Sequence, residues 1–448
     1  MKRGAVAIDL GATSGRYAAG WIEDERIVTE LVEQVPNRQT EGSGHVHWDV
    51  DGLFDLCDRA WTCAGERFDE ATVGIDSWGV DHGFIDQSDQ LVQPPVAYRD
   101  HSHQAMFESM AAHRDTLYAL TGIQHQPFNT LYQLACRGRE RPDLKGLRWL
   151  CMPDLMGLKL TGVLHCEYTM ASTTQLMGLD DIWSPEAFDL IGWPALDVPI
   201  SMPGRILATR DNVRLASVGS HDTASAVLGL GPLGADQAFL NVGTWSLVGT
   251  MLERPNLTDP AFTNERAVDG RVRYLTNIPG FYVINRVYEE LGLDGGVGAW
   301  LGTAEGHSMG RVDLTRPAFF NPVSMSGALA EVSEQPRPES AAGWAALALG
   351  SLVETTARQL DQLGKATQRT FREIRLSGGG SRSEVFCRQI ANRTGLKVVA
   401  GPEEATLLGN LGMQFVASGD VDSVAAAEAL IGRSFATRAY EPSNPLTL

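Results

Sequence analysis

The sequence has no C-x-x-C pair, no zinc-like grouping of Cys with His, and no G-x-x-x-x-G-K-[ST] or sound G-x-G-x-x-G run. A zinc site, a P-loop and a dinucleotide fold are therefore unsupported. Its six cysteines, Cys57, Cys63, Cys136, Cys151, Cys166 and Cys387, are scattered over 448 residues. That is no disulfide framework, and it reads as buried or inert thiols in a reducing cytoplasm. Basic residues are also few: 37 Lys plus Arg stand against 55 Asp plus Glu, a net charge of −18. A general nucleic-acid binder needs a basic surface, and so does docking on an anionic membrane, so neither partner is expected. A small anion is not excluded, because backbone N–H groups can hold phosphate inside an acidic protein. No apolar run is long enough to span a bilayer. The longest, AAGWAALALGSLV at 341–353, stops at Glu354 and reads as a core helix. The N-terminal apolar run breaks at Asp9, too early for a signal peptide.

With 43% hydrophobic and 21% charged residues, the chain has an ordinary globular balance. It is too long for one core. GAVAIDL (4–10) reads as a strand that pairs with YAAGWIE (17–23) after a turn. Residues 49–68 have helical spacing at Leu53, Leu56, Ala60 and Trp61, with Asp49 or Asp51 as N-cap. ATVGIDSWGVD (71–81) is a buried strand entering a Gly turn, and 152–162 a helix closed at Gly162. Residues 214–231 read as strand, polar turn and helix. QAFLNVGTWSLVGT (237–250) repeats the plan of AVAIDLGATSGRYAAG (5–20): an apolar strand, a polar residue, Gly with Thr and Ser, and a second strand. Two related domains, 1–230 and 231–448, follow from that repetition. Later, 340–364 reads as a long helix ending at Gly364, 372–395 as strand, glycine turn and helix, and 396–419 as strand, loop and helix.

Three glycine turns follow apolar strands: Asp9 to Arg16, Asn241 to Ser246, and Ser377 to Ser381. Glycine lets backbone N–H groups crowd round a phosphate with no Cβ in the way, and Ser and Thr add donors. Singly each is a hairpin turn; together they fit a nucleotide. Asp9, ending the first strand, either holds Mg2+ through water or caps its own loop. In Ser220-His221-Asp222-Thr223, Asp222 or Thr223 is either a helix N-cap or, for Asp222, a general base at a strand's carboxyl end. Phosphoryl transfer needs an aligned acceptor hydroxyl whose proton is taken late, which a carboxylate can do.

At these residues the chain resembles the FGGY carbohydrate kinases over nearly its whole length. The matching segments include DLGATSGR (9–16), HWDVD (47–51), IDSWGVD (75–81), PVAYRD (95–100), MPDLMGLKLTG (152–162), EYTMASTTQL (167–176), SHDTASAV (220–227), GTWSLVG (243–249), SGGGSRS (377–383) and AGPEEATLLGN (400–410). The resemblance implies an α/β, actin-like and ribonuclease-H-like fold, with two mixed-sheet domains around an interdomain cleft. It implies ATP and Mg2+ as cofactors and a small-molecule sugar as the other partner. The expected reaction is phosphorylation of a ketose, L-rhamnulose at its 1-hydroxyl first, with L-fuculose, another deoxyketose or a pentulose as alternatives, and a non-catalytic sugar-responsive protein on the same fold as the other reading. The roles it implies are Ala12, Thr13, Ser14, Gly15 and Arg16 along the ATP phosphates, Asp9 by Mg2+, and Asp222 as base. Gly79, His221, Thr223 and Asn277 would bind the sugar, and Thr244 and Gly379 the nucleotide. Asn285 stands where relatives carry an ATP-binding Gln and is one methylene shorter. The assembly expected is a monomer or small homo-oligomer. Trp48, Trp78 and Trp245 are expected to pack, Arg99 and Asp100 to frame the cleft or form a local pair, and His45, His47, His101 and His103 to sit on a solvated surface.

Overall fold

A computed structural model describes residues 2–307 and 310–443. The chain divides into two compact units: Met1–Pro232 with Leu252–Tyr274 and Ala405–Ser434, and Leu233–Met251 with Leu275–Glu404 and Phe435–Leu448.

In the first unit the strand Arg3–Leu10 is fully buried from Ala5 to Ile8, as a run of apolar residues covered on both faces must be. It pairs antiparallel with Ser14–Glu23 and parallel with Glu70–Ser77. The six-stranded sheet runs, in order, Arg205–Arg210, Val213–Ser217, Glu70–Ser77, Arg3–Leu10, Ser14–Glu23 and Arg26–Pro36. The helices Val50–Arg67 and Met152–Thr161 pack on this sheet. Asp49 caps the first of them by accepting from the Gly52 N–H at 3.2 Å, and Gly162 ends the second at φ +73°. The helix Ala405–Ser418 also lies on the sheet, close enough that a Cβ at Gly20 would meet Leu411 Cδ1 at 2.6 Å. Its Gln414 donates to the Val6 carbonyl at 3.0 Å. The helix Asp222–Leu228 packs on the same helix. Gly229 and Gly409 make that contact possible, since a Cβ at either would fall 1.9 Å from the backbone oxygen of Ala405 or Ser225.

The second unit repeats the plan. The strand Gln237–Val242 pairs antiparallel with Trp245–Leu252 and parallel with Glu373–Ser377, which pairs parallel with Lys397–Ala400. Its hairpin closes with Gly243 N–H on the Trp245 carbonyl at 2.8 Å; the first unit's closes with Gly11 N–H on the Ser14 carbonyl at 2.9 Å. The long helix runs Ala341–Thr367, one turn past the expected stop. Gly364 lies within it, and the chain turns at Gln368 (φ +54°) while Arg369 N–H satisfies the Gly364 carbonyl at 3.0 Å. Gln368 thus takes the left-handed position after the helix that glycine usually fills. No helix among the described residues is long and apolar enough to cross a membrane.

Candidate active site

The carboxyl ends of three parallel strands meet in the first unit, the place where α/β sheets hold their ligands. Asp9 and Asp76 are register partners there, and Ser77 bridges to His221 just beyond Val213–Ser217. Asp9 does not cap its own loop. Its Oδ2 accepts from Arg16 Nε at 3.0 Å and Nη2 at 2.8 Å across the hairpin. Asp76 is fully buried; Asn410 donates to its Oδ2 at 2.6 Å, while Oδ1 has no hydrogen-bond partner among the described residues. Burial, then the charge of Asp9, raises the Asp76 carboxyl well above the usual range.

The hairpin tip is held from the side. Asn37 donates its backbone N–H to the Thr13 carbonyl and its side-chain amide to the Gly11 carbonyl, both at 3.0 Å. Ala12 and Ser14 are half-buried and Thr13 exposed, which leaves this turn open to a ligand. Gly15 is buried, and a Cβ on it would meet Leu56 Cδ2 at 2.7 Å, so its lack of a side chain serves helix packing.

Asp222 is not an N-cap. His221 occupies that position and Asp222 is the first residue of the helix. Its carboxylate sits at the positive end of the helix with 27% of the side chain exposed. Crowding by protein raises its pKa to about 6; the neighbouring His221 opposes that rise and the charge of Asp9 adds to it. His221 Nε2 lies 3.5 Å from Asp222 Oδ1. A Cβ at Gly79 would sit 3.0 Å from the same Nε2 and 3.3 Å from Thr173 Oγ1. Gly79, His221 and Thr173 therefore border one small space.

The buried Glu167 carboxylate holds the backbone just before Asp222. Glu167 accepts from Thr169 Oγ1 at 2.6 Å, Met170 N–H at 2.9 Å and Ser220 N–H at 3.2 Å. Thr169 Oγ1 in turn accepts from His221 N–H at 3.2 Å. Burial pushes Glu167 up to about 7. On the other side of Gly79, Asp81 accepts from both Trp48 Nε1 (2.6 Å) and Trp78 Nε1 (2.9 Å), from Tyr98 N–H (3.1 Å) and from Gln133 (2.9 Å). Trp48 and Trp78 are buried and tied to Asp81, in keeping with a packing role. Val80, between Gly79 and Asp81, has φ +71°, a strained conformation for a β-branched residue. Its carbonyl is fixed by Thr130 Oγ1 at 2.6 Å.

Asp100 takes its hydrogen bonds from His45, Ser102 and Val46 N–H, while Arg99 Nε donates to the Tyr98 hydroxyl. His103 is buried rather than solvated, one face of the helix Ser102–Ser109 turning it inward. The described residues contain no group of three or more His, Cys, Asp or Glu that could hold a metal ion.

In the second unit, Thr244 and Gly379 stand at the carboxyl ends of the parallel strands Gln237–Val242 and Glu373–Ser377. Gly280 N–H and Phe281 N–H donate to the carbonyls of Thr244 (3.0 Å) and Gly243 (2.9 Å), which fixes the turn against the helix Phe281–Glu290 that carries exposed Asn285. Gly378 (φ +78°) comes so close that a Cβ would meet the Val242 carbonyl at 2.7 Å; Gly379 is exposed and has open space where a Cβ would be. Asn277 is half-buried on the strand Val272–Pro279.

Reading the sequence alone does not single out Glu265 and Arg273, which surround His221, or Asn410, which holds Asp76. NERAVDGRVR (264–273) carries no motif spacing, and Asn410 reaches the site only because its helix folds back onto the first unit.

Residues 5–209 match the model of the FGGY carbohydrate kinases' N-terminal domain, and residues 238–418 that of the C-terminal domain. The chain belongs to the FGGY family of carbohydrate kinases. It is similar to proteins named rhamnulokinase: 34% identical to one from Pectobacterium carotovorum, over 98% of this chain and 92% of that one. It is 33% identical to another from Enterococcus faecalis, over 99% and 95%. Among solved structures it superposes on a gluconate kinase from Lactobacillus acidophilus with a TM-score of 0.81 at 16% identity, covering 99% of this chain and 94% of that one. Plasmodium falciparum glycerol kinase with ADP gives 0.79 at 13% identity, covering 99% and 94%. These show the two-domain, actin-like fold with mixed sheets.

Proposed function

We propose that this carbohydrate kinase transfers the γ-phosphoryl group of ATP to the 1-hydroxyl of L-rhamnulose. The observation that carries the sugar assignment is the name shared by relatives at 32–34% identity over nearly the full chain. Asp222 is the general base. As the bond from sugar O1 to the γ-phosphorus forms and the phosphorus–oxygen bond to ADP breaks, Asp222 takes the O1 proton and later releases it to water. Gly79, His221, Thr223 and Asn277 bind the sugar. Residues Ala12 to Arg16 in the first unit, and Thr244, Gly379 and Asn285 in the second, bind the nucleotide. Gly15 does so through its backbone.

Mg2+ takes only one or two protein carboxylates and fills its shell with water and phosphate. Asp9 fits that ion, and the unpaired, buried Oδ1 of Asp76 lies on the neighbouring strand in register with it. Mg2+ held there would neutralise phosphate charge.

Two experiments test this reading. A panel of L-rhamnulose, L-fuculose and pentuloses in a coupled ADP-release assay should give the highest kcat/KM for L-rhamnulose; a higher value for another ketose reassigns the substrate. Because Asp222 must be ionised to accept a proton, and its carboxyl titrates at about 6, kcat/KM should fall as pH drops through about 6, approaching one decade per pH unit. A profile that stays flat down to about pH 5 would remove Asp222 as the base.

A further inference from the structure

His221 is surrounded by hydrogen-bonding groups that fix where its ring proton sits. Arg273 is fully buried, and its guanidinium is spread over several partners. Nε donates to the Arg266 carbonyl at 2.9 Å and Nη1 to Thr223 Oγ1 at 2.6 Å. Nη2 lies 3.0 Å from Glu265 Oε2 and 3.2 Å from His221 Nδ1. A guanidinium only donates. Thr223 Oγ1, already accepting from Arg273, has its own proton free for His221 Nδ1 at 3.0 Å. Nδ1 thus faces two donors, which leaves it the role of acceptor. Glu265 Oε2 is 3.4 Å from Nδ1, has no hydrogen-bond partner among the described residues and would favour a proton there, but the charged Arg273 lies closer to that oxygen, at 3.0 Å, and directs its Nη2 hydrogen bond to Nδ1. The other ring nitrogen, Nε2, looks toward Asp222 and the space over Gly79.

We propose that Arg273, with Thr223, keeps His221 Nδ1 an acceptor and the ring proton on Nε2, so that an N–H donor faces Asp222 and the sugar oxygen bound over Gly79. Arg273 is then a positioning residue: it touches no substrate and acts through His221. The assignment of a sugar oxygen rests on the function proposed above; the ring tautomer does not. With the opposite tautomer, a nitrogen lone pair would face the Asp222 carboxylate and repel it.

The test is a 15N–1H long-range correlation spectrum of the full chain labelled at histidine, with His221→Gln identifying the His221 signals by their loss. The expected result at neutral pH is one protonated nitrogen, Nε2, and one bare nitrogen, Nδ1. A proton on Nδ1, or on both nitrogens, overturns the proposal. In Arg273→Met the only charge left beside Nδ1 is Glu265, so the ring proton should move to Nδ1. The KM for sugar should then rise about tenfold while the KM for ATP stays put. A variant that keeps the Nε2 proton also overturns the proposal. If Arg273→Met does not accumulate as folded protein, the wild-type spectrum decides alone. A chain that phosphorylates no ketose but shows the Nε2 proton defeats the function proposed above and leaves the tautomer standing; a working kinase with the proton on Nδ1 defeats the tautomer alone.

Discussion

Asp222→Asn lowers kcat by about 10²- to 10⁴-fold, the usual contribution of a positioned general base, and leaves sugar and nucleotide affinity within a few-fold. The amide has the same shape and keeps its place at the first turn of Asp222–Leu228, whose backbone is held independently by Glu167, Thr169 and the Ser77–His221 bridge. It cannot accept a proton. Ground-state contacts therefore survive and the transition-state contact is lost, so kcat and kcat/KM fall together. The loss should show in single-turnover experiments as well as in the steady state. A variant with turnover near that of the wild type would mean that another group, or water, takes the hydroxyl proton.

Asp81→Ala carries the largest expected cost in stability. The carboxylate is fully buried and receives two indole N–H groups, the Tyr98 backbone N–H and the Gln133 amide. Burial raises its pKa to about 6, against the lowering effect of those donors. Removing it leaves the two indole N–H groups and the Tyr98 N–H without that acceptor, at about 1–3 kcal/mol for each that stays unsatisfied, while the Gln133 amide keeps the Phe128 carbonyl at 2.8 Å. Since water can enter and rescue some of them, a loss of about 3–5 kcal/mol is expected. The midpoint of the first unfolding transition in urea reads this loss, with Asp81→Asn losing less because its amide oxygen still accepts. An unchanged midpoint would show that Asp81 is dispensable to this network.

The sequence showed most of the architecture because its strands are apolar runs that end at polar residues and glycines. The shared hairpin plan of 5–20 and 237–250 appears as two sheets with the same pairing around their first strands. Asp9, Gly79, His221 and Asp222, far apart in the chain, gather at the carboxyl ends of the parallel strands in the first unit. What was not legible depended on long-range packing. Arg16 looks like a phosphate ligand in the sequence, but its partner Asp9 is revealed only by strand register. Glycines look alike in sequence, although Gly79 leaves room beside His221 and Gly15 makes room for Leu56. Glu265 and Arg273 lie on strands with no motif, more than 40 residues after His221 in the chain, and only the folded chain brings them to it. The stop at Gly364 was misplaced because a glycine inside a well-packed helix costs only about 1 kcal/mol, too little to end it.

The central claim is that the chain phosphorylates the 1-hydroxyl of L-rhamnulose. The most direct measurement incubates the enzyme with L-rhamnulose, ATP and Mg2+ and locates the phosphate by phosphorus–carbon coupling in the product's NMR spectrum. The account predicts one product, with phosphorus coupled to C1 and ADP formed in equal amount. Phosphorus at another carbon, or ADP released with no sugar phosphate formed, would contradict it.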